Sequence, residues 1–373
     1  MHIMIVIHSL AGGGAERVAV DLAAYWLKLG YKVSVVTQDS ADSDAYQLAD
    51  GVARFALGTA GDSGGGWRGA VANGLRVAKL RRLFKREKPD CVLGMMTTSS
   101  ILSVVAAQKL PIRVMASEHT HPPIQKLPEV WRKLRRWAYP RAHAVVALTT
   151  GTAAWINEHV PGSTVKVIPN SVRWPLQHTE PQVAPPDRQG RFRLLAVGRL
   201  HPVKGFDVLI HAFSLLAKYF PAWDLVIAGE GGERDALQAQ IDALSLGDRI
   251  TLVGRVGNIR DWYEQSDLYV LSSRTEGLSN TLLEAMASGL PAVAFDCETG
   301  PREIIRPDLD GVLVAPVEDP EALAAYLSDL MAHPLKRQAL SKRAIDVRDR
   351  FSATRIMAQW EQLLKQSDNS AKR

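Results

Sequence analysis

Only two cysteines, Cys91 and Cys297, occur in 373 residues. So few thiols exclude a disulfide framework and offer no metal-ligand spacing, which places the chain in a reducing, cytoplasmic setting. Long hydrophobic runs are also missing: nothing approaches the ~20 uninterrupted apolar residues that span a bilayer. The start, MHIMIVIHSLAGGGAER, has no basic leader and no small-residue cleavage site. It reads as a first strand, not a signal peptide. No repeat of short period is present, and low complexity is confined to GTAGDSGGGWRG, residues 58–69.

What is present is a soluble, globular balance, 46% apolar and 23% charged, over a length that suits two domains of similar size. The net charge of +6 is unevenly spread. Through residue 170 there are 21 Lys and Arg against 12 Asp and Glu; beyond it, 24 against 27. The basic first half invites an anionic partner.

Apolar runs alternate with helical patterns through that half: IMIVIHSL, a helix from about Ala15 to Leu29 closed by Gly30, YKVSVVTQ, then VARFAL, CVLGMM, IRVMAS, AHAVVALT and VKVIPN. Runs apolar along their whole length argue for parallel strands covered on both faces. Residues 171–190, with four prolines and no periodicity, read as a linker. The alternation restarts with FRLLAVGRL, DLVIAG, RITLVG, LYVLSS and PAVAFD, with helices between, and ends in a basic helical stretch over about 335–365. The expected fold is α/β, with two doubly wound Rossmann-like domains at 1–170 and 191–350. Their ligand would lie in a cleft beyond the strand ends, with the Gly-rich 58–69 segment as a mobile loop beside it.

Three motifs sit at expected strand ends. AGGGAER follows the first strand, and Gly13 and Gly14 would bring backbone amides to a diphosphate at a helix N-terminus. Arg17 stands where the dinucleotide fingerprint wants a small residue, which weakens a nicotinamide reading. The acidic loop around Asp42 and Asp44 has an Asp-x-Asp spacing, but it reads as solvated and no metal is expected. In VGRLHPVKGFDVL, Arg199 and Lys204 fall in one loop with Gly205, two cations able to neutralise a diphosphate.

The third motif, EGLSNTLLEAMASGLPAVAFD, separates Glu276 and Glu284 by eight positions. On one helix that is roughly 12 Å of rise, beyond the ~5 Å pair of a retaining glycosidase. With Ser279 or Asn280 as cap, Glu276 precedes the helix and Glu284 lies in its second turn. Two acids then flank amides that can meet an anion, an order that matches sugar, diphosphate and ribose.

Taken together, Glu-x7-Glu, the Gly-Arg-x4-Lys-Gly loop, GGAERV and FDCETGPREII resemble the retaining GT-B glycosyltransferases of family 4, over nearly the whole chain. They are most similar to bacterial members that add hexoses or N-acetylhexosamines to lipid-linked or surface glycans. The resemblance implies a GT-B fold whose final helix, 351–373, crosses back to the first domain. It implies that Glu276 contacts the transferred sugar, that Glu284 holds the ribose, and that Arg199 and Lys204 bind the diphosphate. Backbone amides of Gly277, Leu278, Ser279, Asn280 and Thr281 would meet the phosphates, and Arg255 and Val256 the base. His119 in SEHTHPP resembles the active-site histidine, with His121 as neighbour, and Asn170 would touch the donor. The activity implied is retaining transfer from a UDP-sugar to a glycan hydroxyl without cofactor or metal. A GT-B nucleotide-sugar epimerase and a non-catalytic glycan- or nucleotide-binding protein are the alternatives.

The basic excess gathers in RVAKLRRLFKREK, whose apolar stripe reads as core, and in LPEVWRKLRRWAYPR. The second could place Trp131, Arg132, Arg135 and Arg136 against an anionic membrane or a lipid-linked acceptor such as an undecaprenyl-diphosphate glycan. That would make the protein peripheral on the inner face of the plasma membrane. No RNA-binding signature accompanies these charges, so nucleic acid is not an expected partner.

Overall fold

The computed structural model describes residues 1–59, 67–188 and 190–370. Most of the Gly-rich segment 58–69 therefore lies outside the described residues. The chain divides into two compact units, one of Met1–Asn170 with Ile356–Arg373, the other Ser171–Arg355.

The first unit is a parallel sheet of β1 (His2–Ile7), β2 (Lys32–Thr37), β3 (Ala53–Ala56), β4 (Cys91–Met95), β5 (Arg113–Glu118), β6 (Ala144–Ala147) and β7 (Val165–Val167), in the order β3-β2-β1-β4-β5-β6-β7. Its helices are α1 (Gly14–Lys28), α2 (Trp67–Glu87), α3 (Thr97–Ala107), α4 (Glu129–Ala138) and α5 (Thr150–His159). Every residue of β1 is buried, and alternate side chains feed different cores. Ile3, Ile5 and Ile7 join the layer with Leu22 and Trp26 of α1, while Met4 and Val6 face Leu80 and Phe84 of α2 and Ile101 of α3.

The second unit repeats the winding with β8 (Phe192–Val197), β9 (Trp223–Ala228), β10 (Ile250–Gly254), β11 (Leu268–Leu271), β12 (Ala292–Phe295) and β13 (Gly311–Val314), ordered β10-β9-β8-β11-β12-β13. Its helices are α6 (Phe206–Leu216), α7 (Arg234–Ala243), α8 (Ile259–Glu264), α9 (Asn280–Ala287), α10 (Pro301–Ile304), α11 (Pro320–Ala332), α12 (Pro334–Ala344) and α13 (Val347–Arg350). β13 and α11 were not anticipated. The strand is only four residues long, although Asp319 and Pro320 give α11 a clear start: the Asp319 carboxylate accepts the Ala322 N–H at 2.8 Å.

The basic stretch 335–365 is not one helix but α12, α13 and α14 (Ala353–Ser370). Ile356, Met357, Trp360 and Leu363 of α14 enter the α1-side core of the first unit, and Trp360 meets Trp26 edge-on at 6.3 Å. A buried aromatic pair of this geometry adds about 0.5–1.5 kcal/mol beyond its area.

The proline-rich segment 171–190 is not slack. Val183 donates its N–H to Asn258 Oδ1 at 2.9 Å and accepts from Asn258 Nδ2 at 3.0 Å, and the Arg348 guanidinium lies 3.9 Å from the Trp174 ring centroid. Among the described residues, no helix is long and apolar enough to cross a membrane.

Candidate active site

In each sheet the strand order reverses next to the first strand, and the loops after the two strands at the reversal leave in opposite directions, opening a crevice. In the second unit these strands are β8 and β11. The loop after β8 carries Arg199 and Lys204; the segment after β11 carries Ser272, Ser273 and Glu276.

Lys204 closes a short 3-10 turn, Pro202–Lys204, and Gly205 follows with φ +60°. Any Cβ there would collide with the Ser272 carbonyl, so glycine is required for the two loops to lie together. The result is an ion pair. Lys204 Nζ donates to Glu276 Oε1 at 2.6 Å, and Ser273 Oγ donates to the same oxygen at 2.6 Å. Thr299 Oγ1 holds the Glu276 carbonyl at 2.6 Å, while Gly300, at φ +99°, lets its loop pass within a methyl group of Gly277.

Cys297 belongs to the same packing. Its thiol donates to the Ser273 carbonyl at 3.0 Å, and burial pushes its pKa up to about 12, so it is a support and not a nucleophile. Arg274 is spent inside the protein on Asp207, at 2.7 Å, and Glu318, at 3.2 Å. Arg199 differs: it is exposed and makes no hydrogen bond or ion pair with any described residue.

Ser279 caps α9, accepting the Leu282 N–H on Oγ at 3.4 Å, and Leu278 is buried, so this entry presents backbone more than side chain. A helix start leaves its first N–H groups without intrahelical acceptors. Glu284, in the second turn, is buried, with Tyr263 Oη 3.4 Å from Oε2. Glu276 thus stands before the helix and Glu284 inside it, with the entry between them. Arg255 and Val256 follow β10, the first exposed and the second half-buried.

In the first unit His119 follows β5, half-buried, with Nε2 3.0 Å from Ser117 Oγ. Burial pulls its pKa to about 4, so the ring is neutral near pH 7. His121 is sealed, with Nδ1 3.1 Å from Thr152 Oγ1. Of the two, His119 is the one left within reach of a ligand. Asn170 lies three residues beyond β7 and is buried. At α1, Gly13 is the N-cap and Gly14 the first residue, but a Cβ on Gly13 would strike the Glu16 carboxylate. The Glu16 side chain thus lies against Gly13, while Gly14 stays exposed. Among the described residues, no three His, Cys, Asp or Glu side chains gather to hold a metal ion.

Residues 12–173 match the family described as Glycosyltransferase Family 4, and residues 180–347 match Glycosyl transferases group 1. The chain is a GT-B glycosyltransferase of the family 4 type. An N-acetyl-D-galactosaminyltransferase of Campylobacter jejuni, which acts on a diNAcBac-PP-undecaprenol-linked glycan, is 26% identical over 99% of this chain and 100% of its own. An exopolysaccharide phosphotransferase of Streptomyces coelicolor is 33% identical over 79% of this chain, which spans only 30% of that relative's length. Among solved structures, Anabaena HepE in complex with UDP superposes with a TM-score of 0.80 at 20% identity, covering 98% of this chain and 100% of that one. Further relatives include bacterial glycosyltransferases named for amylovoran biosynthesis in Erwinia amylovora and for lipopolysaccharide core biosynthesis in Rhizobium leguminosarum.

One expectation for this glycosyltransferase is overturned. Arg135, assigned to a membrane or acceptor surface, is 4% exposed. Its guanidinium lies 4.8 Å from the Trp155 ring centroid and 4.0 Å from the Glu118 carboxylate. It sits on the inward stripe of α4, one position from the exposed Arg136, and burial beside a carboxylate consumes its charge. Trp131 is half-buried against the α2-side core. The outer face of α4 holds Val130, Arg132, Lys133, Arg136 and Trp137, with Arg132 paired to Glu129.

Four residues packed around the candidate site escaped the sequence reading: Ser273, Thr299, Tyr263 and Tyr269. Their only signal was a polar pair, Ser272–Ser273, ending an apolar run. The buried Glu118, held by Thr97 Oγ1 at 2.8 Å, Gln125 Nε2 at 3.2 Å and the Tyr139 hydroxyl, was missed as well.

Proposed function

We propose that this glycosyltransferase moves a hexose or N-acetylhexosamine from a UDP-sugar to a hydroxyl of a glycan, lipid-linked in the cell, with retention of configuration and without a metal. The observation that carries the reading is the Lys204–Glu276 pair, 2.6 Å apart at the switch point of the second sheet and next to the α9 entry. Cation, acid and helix amides there match a diphosphate joined to a sugar. The Campylobacter relative's lipid-linked acceptor and the UDP held by HepE support the choice of acceptor and donor.

In this reading Lys204 turns from Glu276 to the diphosphate as donor binds, Arg199 forks a second pair of oxygens, and Glu276 is released to the sugar hydroxyls. The acceptor oxygen bonds to the anomeric carbon on the face from which the diphosphate departs. The C1–O bond to phosphate breaks, and the acceptor proton passes to a departing phosphate oxygen. Protein cations and α9 amides stabilise the charge that develops on the leaving group, so no protein nucleophile is needed. Arg255 and Val256 hold the base, and the family resemblance of their motifs alone assigns neutral His119 and Asn170 to the donor. The exposed basic face of α4, without Arg135, rests on an anionic membrane at the cytoplasmic side.

The relatives favour transfer, and the epimerase alternative gains no support from them. Nucleotide-sugars offered with short undecaprenyl-diphosphate glycans, read by mass, test the proposal. Sugar transfer that falls in Lys204→Ala and Glu276→Ala is expected; unchanged transfer in either variant would overturn the site assignment. Donor sugars interconverted without acceptor would establish the epimerase instead.

A further inference from the structure

The α9 entry rests on two buried tyrosines from different elements. Tyr263 of α8 and Tyr269 of β11 meet edge-on, ring centroids 6.1 Å apart, and both send their hydroxyls toward the first two turns of α9. Tyr269 Oη donates to Thr281 Oγ1 at 2.9 Å, and Thr281 Oγ1 lies 3.2 Å from Ser279 Oγ, the cap. Tyr263 Oη instead reaches the Thr281 carbonyl at 3.3 Å and Glu284 Oε2 at 3.4 Å. Both rings are fully buried, so neither can touch a ligand directly.

We infer that Tyr263 is a positioning residue whose hydroxyl fixes the Glu284 carboxylate in the rotamer that accepts hydrogen bonds from the ribose of the donor. The inference rests on the reading of Glu284 as the ribose grip, and goes beyond it by naming what aims the carboxylate. A carboxylate on a flexible Glu side chain must lose rotamer freedom before it can take two hydroxyls at once. A phenol anchored by a buried ring supplies that order before the ligand arrives, and the Thr281 carbonyl ties it to the helix entry. Tyr269 makes no hydrogen bond to Glu284: its hydroxyl is spent on Thr281 and steadies the cap.

The two tyrosines therefore separate positioning from packing. Affinities for UDP and 2′-deoxy-UDP, and for GDP and 2′-deoxy-GDP, are measured by calorimetry on the full chain with Tyr263→Phe, Tyr269→Phe and Glu284→Gln. The wild type is expected to prefer the ribonucleotide by tenfold or more. Tyr263→Phe, which keeps the ring and loses the hydroxyl, should cut that preference to threefold or less. Tyr269→Phe should weaken both nucleotides alike and keep the preference. The Glu284→Gln, Tyr263→Phe double variant should discriminate no worse than Glu284→Gln alone. A Tyr263→Phe protein that keeps the full preference overturns the inference, as does one that weakens both nucleotides equally. Should Tyr263→Phe fail to fold, Tyr263→Met, which also removes the hydroxyl and fills the space with an apolar chain, supplies the same comparison. If Glu284→Gln itself keeps the ribose preference, or if none of the nucleotides binds, it is the ribose grip or the nucleotide reading that fails, not the role of the tyrosine.

Discussion

Each unit holds one glutamate at the end of a sheet strand, surrounded by hydroxyls and faced by a cation, yet the two are set at different depths. Glu276 follows β11, takes Ser273 and Lys204 on one oxygen, and keeps its side chain 9% exposed beside a Lys204 side chain at 21%. Glu118 ends β5, takes Thr97, Gln125 and Tyr139, and faces Arg135 at 4.0 Å with its side chain fully enclosed. Similar chemistry is therefore put to two uses. A pair at the surface can exchange partners when a ligand arrives, whereas a sealed one must be satisfied by the chain itself. Burial also pushes the Glu118 carboxyl above its ordinary range, as desolvation demands of an enclosed acid.

The largest expected effect comes from disabling the open glutamate. With Glu276 at the reacting sugar, as proposed, Glu276→Gln should lower donor-dependent transfer by about 100-fold or more while leaving thermal unfolding nearly unchanged, because such a loss costs mainly transition-state stabilisation. Glu118→Ala should do the reverse. Stranding the Tyr139 hydroxyl and the Arg135 guanidinium in the interior should cost roughly 2–4 kcal/mol of stability, read as a lowered urea midpoint, with kcat of the folded fraction held within a few fold. Equal loss of activity in both variants would erase the contrast.

His119 sharpens it through pH. Its folded pKa, about 4, lies below the ordinary 6.5, so between those values the unfolded chain binds the proton more readily. Stability from this group is complete above about 6.5 and is lost as pH falls toward about 4. Glu118, shifted upward, acts in the opposite sense. The readout is thus the difference between wild type and His119→Asn: the variant should resist acid better, with the two converging above pH 7. Parallel unfolding curves across that range would contradict the lowered pKa of His119.

The smallest effects belong to α4. Arg136→Ala and Trp137→Ala should each weaken binding to anionic vesicles by a few fold, and salt should erase the Arg136 difference. Arg135→Ala should instead lower stability. If Arg135 alone changed vesicle binding without cost to folding, its inward placement would be wrong.

Much of this was legible before any coordinates. Strand alternation announced both sheets, and the run of Arg199, Lys204, Glu276, Ser279 and Glu284 announced the segments that the structure gathers at the ends of β8 and β11 and the entry of α9, because strand ends there carry their polar residues in short, adjacent segments. What was hidden depends on partners distant in sequence. Ser273 is informative only once Lys204, far from it in sequence, arrives on the same oxygen, and Tyr263 only once α9 lies over α8. The Arg135 error has the same origin. α4 does carry an inward stripe, Trp131, Leu134 and Ala138, but Arg135 lies at its edge, and nothing in RKLRRW says which arginine Glu118 will claim.

Lys204 and Glu276 are the proposed grip for a nucleoside diphosphate sugar. Calorimetric titration of UDP into wild type and Lys204→Ala tests it most directly. At least a tenfold loss of affinity is expected in the variant at unchanged thermal stability; equal affinity for UDP in both proteins would contradict the grip.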